Sequence, residues 1–168
     1  MTRTLISNAT IWNGLGGEPF VGDLVVEGNR IQSVGPASGR PPTPIDVRID
    51  GTGKFLMPGM TEGHAHLSFD AVTATEDLIR PSPEEHTLIT ARVAKTLLDH
   101  GFTSAYGASE AKLRLGVAVR NEVNAGRLPG PRIRAGSLEI TVTGGMGDES
   151  RGHSARDGIS LVVDGPEA

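Results

Sequence analysis

Cysteine is missing altogether from these 168 residues, which removes disulfides and thiolate metal ligands together. Any transition metal must therefore be held by histidine, carboxylate or a modified side chain. A basic stripe is missing too. Sixteen Lys and Arg stand against 20 Asp and Glu, scattered to a net charge of -4, so no surface matched to a phosphate backbone, and no nucleic-acid partner, is expected. Long apolar runs are equally lacking. No stretch reads as a membrane span, and the opening MTRTLISNATIW alternates polar with apolar residues where a secretory leader needs a continuous apolar core. The expectation is a cytoplasmic protein without a membrane partner.

What is present suits a globular chain. An apolar share of 37% and a charged share of 21% are ordinary for a packed core, while 23 Gly and 11 Pro reserve much of the length for turns and loops. Residues 4–12 and 20–34 are rich in β-branched side chains, and the second stretch breaks at Gly28-Asn29, where a tight hairpin turn needs positive φ. The Pro, Gly and Ser stretch from Gly35 to Pro44 reads as a loop. Ile45, Val47 and Ile49 then alternate with polar residues as one face of a half-buried strand. Residues 1–52 thus predict short strands and no helix.

From Lys54 the pattern changes. Ser82-Pro83-Glu84-Glu85 predicts a helix start, with Ser82 as cap, Pro83 in the first turn and Glu85 closing a capping box. Ile89, Val93 and Leu97 recur at helical spacing, Leu88 and Leu98 widen the stripe, and Gly101 ends it, giving a helix over about 83–100. Phe102–Tyr106 predicts a strand, Leu115, Val119 and Val123 a second helix stopped by Gly126, and Ile133–Leu138 a third strand. Alternation at this pace is how βα units feed a parallel sheet. Residues 144–168 read as a Gly-rich polar loop.

Chemistry enters at His64-Ala65-His66. Side chains alternate across an extended segment, so both imidazoles point to one face and can offer two nitrogens to one divalent cation. With five histidines present, such a pair arises by accident in roughly one chain in seven. Context separates this pair from the accident: it follows Leu56-Met57-Pro58-Gly59-Met60, after a β-rich region and before a capped helix.

The run GKFLMPGMTEGHAHL resembles the signature of the amidohydrolase superfamily, in which a strand carrying Pro-Gly, an acidic residue and His-x-His opens a (β/α)8 barrel. LISNATIWNG and GDLVVEGNRIQSVG resemble that family's N-terminal β-sandwich half, and GFTSAYG, NAGRLPGPRIRAGS and TVTGGMGD its next barrel segments. The branch most resembled holds imidazolonepropionase-like and dipeptidase-like enzymes. The resemblance implies an α/β chain with sandwich strands over 1–56, entry into a TIM-like barrel at Phe55, and about three βα units over 57–168. It also implies His64 and His66 as ligands of one or two divalent ions, zinc foremost, in a hydrolase that cleaves an amide-type C–N bond of a small molecule. A homo-oligomer is expected.

Departures from the family pattern are specific. Glu62 stands where Asp is usual, with reach enough to orient a ligand histidine. Tyr106-Gly107 replaces an Arg-Asp pair, and Met146 replaces a His between glycines. A barrel of this class takes about 250 residues, whereas about 110 follow the sandwich half here. The family's bridging lysine, two later histidines and catalytic aspartate find no counterpart in this chain. The expectation is therefore a piece completed by its continuation, or, as the alternative, a non-catalytic part of a split barrel that needs a complementing chain.

Several other residues have two readings. His153 and Arg151, with Asp148 nearby, lie in the loop where barrel enzymes place substrate-contacting groups, or are simply solvated. Tyr106 either faces the barrel interior as a substrate contact or fills space. Asp70 is a supporting group or a loop carboxylate. His86 and His100, at opposite ends of the first helix, read as structural or exposed. Glu84, Glu85 and Glu110 read as acidic residues near helix starts, and Gly144, Gly145 and Gly147 as loop glycines with unusual φ.

Overall fold

The computed structural model describes residues 1–37, 44–148 and 159–167. They form two compact units, Met1–Pro58 and Gly59–Ala168. In the first, β1 (Arg3–Ile11), β2 (Phe20–Glu27) and β3 (Arg30–Pro36) run antiparallel in succession. The β2–β3 hairpin turns at Gly28-Asn29 as expected, with Gly28 at φ 59°, a value that costs a residue without Cβ nothing. β4 (Val47–Asp50) and β5 (Phe55–Leu56) both add to β1 in parallel. Ala9, Ile11 and Leu24 form the core of this sheet, with Phe20 and Leu56 packed against them.

Two expectations are corrected here. Phe55 and Leu56 are the last strand of this first sheet, so the crossing to the second unit comes at Gly59 and not at Phe55. All four residues of β4 are exposed, so the alternating Val47 and Ile49 mark a face that nothing in this unit covers.

The second unit is built on three parallel strands, β6 (Met60–Ala65), β7 (Phe102–Gly107) and β8 (Arg132–Arg134), in the order β6-β7-β8. The connections hold α1 (Glu76–Ile79), α2 (Pro83–Asp99) and α3 (Leu115–Asn124). α2 starts as its sequence predicts: Ser82 Oγ accepts the Glu85 N–H at 3.3 Å, and Glu85 Oε2 accepts the Ser82 N–H at 3.0 Å. Ala65, Leu67, Ala105 and Ile133 of the sheet side meet Ala94 and Val119 of the helices in one cluster, flanked by Val93, Leu97 and Val123. Helices therefore cover one face of this sheet, and the alternate residues belong to the other.

The buried line of α2 is His86, Thr90 and Ala94, one position out of step with the expected stripe of Ile89, Val93 and Leu97. Leu88 is 72% exposed and does not widen the stripe. Polar residues can occupy that line because each has a partner: His86 Nε2 donates to the Ser68 carbonyl at 2.8 Å, and Thr90 Oγ1 to the His86 carbonyl at 2.7 Å. The expected strand over 133–138 ends at Arg134. Instead β9 (Glu139–Thr141) pairs in parallel with β10 (Ser160–Val162), and of the two β10 lies inside the 144–168 stretch that reads as loop. α1 was also unforeseen. It follows a turn in which Asp77 Oδ2 accepts the N–H groups of Thr73 and Ala74 at 3.0 and 3.1 Å. Among the described residues no helix is long and apolar enough to cross a membrane.

Candidate metal centre

β6 delivers the histidine pair. Ala65 is sunk in the cluster beneath α2 and α3, which turns its strand neighbour His64 away from that cluster, and His66 follows just past the strand end. Their ring centroids lie 5.0 Å apart, with planes at 74°, close enough for both rings to address one cation. His66 is the better anchored. Its ring stacks on Phe69 at 4.5 Å and 17°, and its Nδ1 lies 3.2 Å from the Ser109 carbonyl oxygen and 3.0 Å from Ser109 Oγ. A carbonyl can only accept, so a proton on Nδ1 satisfies both Ser109 oxygens and leaves the lone pair on Nε2. A ligand histidine needs this arrangement: one nitrogen tied to the protein, the other presented to the ion.

Glu62 does not serve the ring of either histidine. Its Oε1 accepts the backbone N–H of His64 at 3.0 Å, so it fixes main chain and leaves the imidazole alone. Strict alternation would set Glu62 on the histidine face, but the β6–β7 register slips between Glu62 and Ala65. Glu62 is thereby in step with Ala105, a residue of the helix-covered face. A recess of about 190 Å³ joins Glu62, His64 and His66 to Val93 and Leu97 of α2.

Behind His66 lies a buried polar cluster. Ala108 N–H donates to the Ala65 carbonyl at 2.8 Å and Glu110 N–H to the Ser137 carbonyl at 2.7 Å. Glu110 Oε2 accepts the Ser68 N–H at 3.0 Å, and Ser68 Oγ accepts the Ala111 N–H at 2.8 Å. Glu110 and His86 are each 1% exposed, and Glu110 Oε1 and His86 Nδ1 have no hydrogen-bond partner among the described residues. Burial holds the Glu110 carboxyl above the usual carboxylate range, with the Ser68 bonds pulling the other way. Glu110 corrects the expectation of an ordinary helix-start carboxylate, whereas His86 stands as a structural residue in the first turn of α2. α3 has no acidic residue in its first turn, and Glu110 is interior.

The remaining candidates separate. Tyr106, 57% exposed, is in register with Arg134. Both line a cleft of about 520 Å³, with Thr61, Ser104 and Arg132, along the strands of the second unit. Asp70 is engaged by the Arg92 guanidinium and supports neither histidine. His100 Nδ1 lies 2.8 Å from the Thr96 carbonyl at the end of α2. Gly144 and Gly147 take φ of 75° and 81°, as loop glycines do. His153 and Arg151 lie outside the described residues. Among the described residues no three His, Asp or Glu side chains gather about one point. The pair fits a divalent cation as two of the three or four protein ligands such ions take.

No family model matches the chain. It is 31% identical over 153 residues to an imidazolonepropionase of Salinispora arenicola, covering 88% of this chain and 34% of that protein. Over 62 residues it is 39% identical to an N-acyl-D-aspartate deacylase of Alcaligenes xylosoxydans xylosoxydans, covering 37% of this chain and 12% of the deacylase. Among solved structures, a prolidase complexed with N-methylphosphonate-L-proline superposes with a TM-score of 0.81 at 25% identity, over 99% of this chain and 42% of the prolidase chain. The chain thus spans about a third or less of the length of these curated relatives. Relatives of one enzyme class in sequence, a shared fold over nearly the whole chain and the His64-x-His66 strand together lead to one assignment: the chain belongs to the amidohydrolase superfamily.

Proposed function

We propose that this chain supplies the first two metal ligands of a hydrolase that cleaves an amide-type C–N bond in a small molecule. The substrate would be a dipeptide, an N-acyl amino acid or a cyclic amide. The observation that carries the reading is the pairing of the His64 and His66 rings 5.0 Å apart, with Ser109 engaging Nδ1 of His66 and leaving Nε2 for an ion. A bound divalent ion of this kind acidifies water and polarises a carbonyl. His64 and His66 would hold it. The remaining ligands and the general base would come from residues outside this chain, in a covalent continuation or a complementing polypeptide. On the neighbouring strands β7 and β8, Tyr106 and Arg134 offer a phenol and a guanidinium to a substrate carboxylate, a group common to dipeptides and acyl amino acids.

Relatives support the same range of chemistry, since one similar protein is a deacylase and one similar structure is a prolidase with a proline phosphonate bound. The test is a panel of Xaa-Pro dipeptides, N-acyl amino acids and cyclic amides given to the full-length protein before and after removal of divalent metal by a chelator. Hydrolysis that disappears with the metal and returns with zinc supports the proposal. Turnover indifferent to chelation, or no turnover of any C–N substrate by the metal-loaded protein, overturns it.

A further inference from the structure

The segment that leaves β7 is tied to the segment that leaves β6 at every residue from 108 to 111. Ala108 N–H bonds the Ala65 carbonyl, and Ser109 holds Nδ1 of His66 through its carbonyl and hydroxyl. Glu110 Oε2 takes the Ser68 N–H, and Ala111 N–H reaches Ser68 Oγ. From the other side, His86 of α2 donates to the Ser68 carbonyl. The residues flanking His66 are therefore gripped at their backbone while the ring is fixed at one nitrogen. Glu110 is the costliest part of this arrangement. A carboxyl 1% exposed with one oxygen unpartnered is unfavourable for folding alone, since an apolar side chain of similar size would avoid the desolvation. Its cost is understandable if it holds something that must not move.

We infer that Ser109 and Glu110 are positioning residues for His66, Ser109 fixing the ring proton on Nδ1 and Glu110 locking the main chain that sets where the Ser109 carbonyl meets the ring. Without Glu110, Ser68 N–H loses its acceptor, the 108–111 segment loosens, and the Ser109 carbonyl drifts from Nδ1. The proton is then free to occupy Nε2, which blocks the nitrogen meant for the ion. This inference rests on the metal reading of His66 for its purpose, though the tautomer it specifies is a property of the metal-free protein.

The experiment uses the metal-free full-length protein with 15N-labelled histidine. Two-bond 1H–15N correlation spectra report which ring nitrogen of His66 carries the proton, the signal being identified by its loss in His66→Gln. Wild type should show the Nδ1–H form. Glu110→Ala should mix the two tautomers and weaken Zn2+ affinity, read by competition with a chromophoric chelator, by about 10- to 100-fold, the usual effect of removing support from a metal-bound histidine. Glu110→Gln keeps an oxygen for the Ser68 N–H and should restore both readouts to near wild type. A residue that only supports the fold would shift the melting temperature in Glu110→Ala and leave the tautomer alone. That result overturns the inference, as does an Nε2–H wild type, which needs no variant to fold. Zn2+ that fails to bind wild type counts against the metal reading instead, and the tautomer spectra then decide the positioning roles by themselves.

Discussion

Gly116 lies close against Glu110. A Cβ built on it would come 2.7 Å from Glu110 Oε1, so the buried carboxyl would have to shift. Gly116→Ala should therefore cost about 1 to 3 kcal/mol, the usual cost of overfilling a packed site, measured as a fall in the denaturation midpoint. Wild-type stability in that variant would show that Glu110 is not wedged against α3. The carboxyl itself should leave a pH signature. Its value in the folded chain is raised by burial, so the folded state binds a proton that the unfolded state has already released. The stability this contributes at acid pH is lost as pH rises through the carboxylate range toward the raised value. Asp50, Asp77 and Asp164 are lowered by hydrogen bonds from their neighbours and slope the opposite way, but they are common to wild type and Glu110→Gln. Melting temperatures of the two proteins across a pH series should then diverge in favour of Glu110→Gln as pH rises. A constant difference would contradict the raised carboxyl. None of this was legible in the sequence, because the burial of Glu110 and His86 depends on where three separate segments meet.

At the scale of elements, local rules carried far. The capping box of α2, the Gly28-Asn29 hairpin, the Leu115, Val119 and Val123 stripe of α3 and the Gly126 stop at φ 70° all stand as the residues predict. Each is decided within a few residues of chain. What failed was decided at a distance. β9 and β10 find each other across 18 intervening residues (141 to 160), and α2 presents His86 inward because the Ser68 carbonyl accepts a hydrogen bond from its Nε2–H. The register slip that takes Glu62 off the histidine face is invisible to an alternation rule for the same reason. The cap offers a direct check on α2. Ser82→Ala removes the acceptor for the Glu85 N–H and should cost about 1 kcal/mol, whereas Ser82→Gly should cost only a few tenths. Equal losses for both, in thermal or denaturant unfolding, would mean that the box contributes little and that the buried His86 contact with Ser68 holds the helix start.

At the scale of the molecule, the chain spans about a third of the length of the imidazolonepropionase it matches. β6 and β8 end the three-stranded sheet on either side, and an open parallel edge is a surface that seeks another strand. In the first unit Val47 and Ile49 are 43% and 44% exposed, an apolar pair of the kind that another surface covers. Expressed alone, residues 1–168 should lack hydrolase activity and tend to self-associate. Supplied with the rest of the protein, in one chain or two, they should give a monodisperse, cooperatively melting enzyme, and size-exclusion chromatography with calorimetry distinguishes the outcomes. The family membership and the His64-x-His66 motif were legible because sequence order alone carries them. The donor count was legible as a deficit, since two histidines leave two or more positions of a zinc ion to other ligands. The central claim is that His64 and His66 hold a catalytic divalent ion, and elemental analysis of the purified full-length protein beside His64→Ala and His66→Ala, with amide hydrolysis assayed on the same samples, tests it most directly. The account predicts retained zinc or a related ion in wild type and loss of both metal and turnover in each variant; wild-type turnover in a metal-free double variant would contradict it.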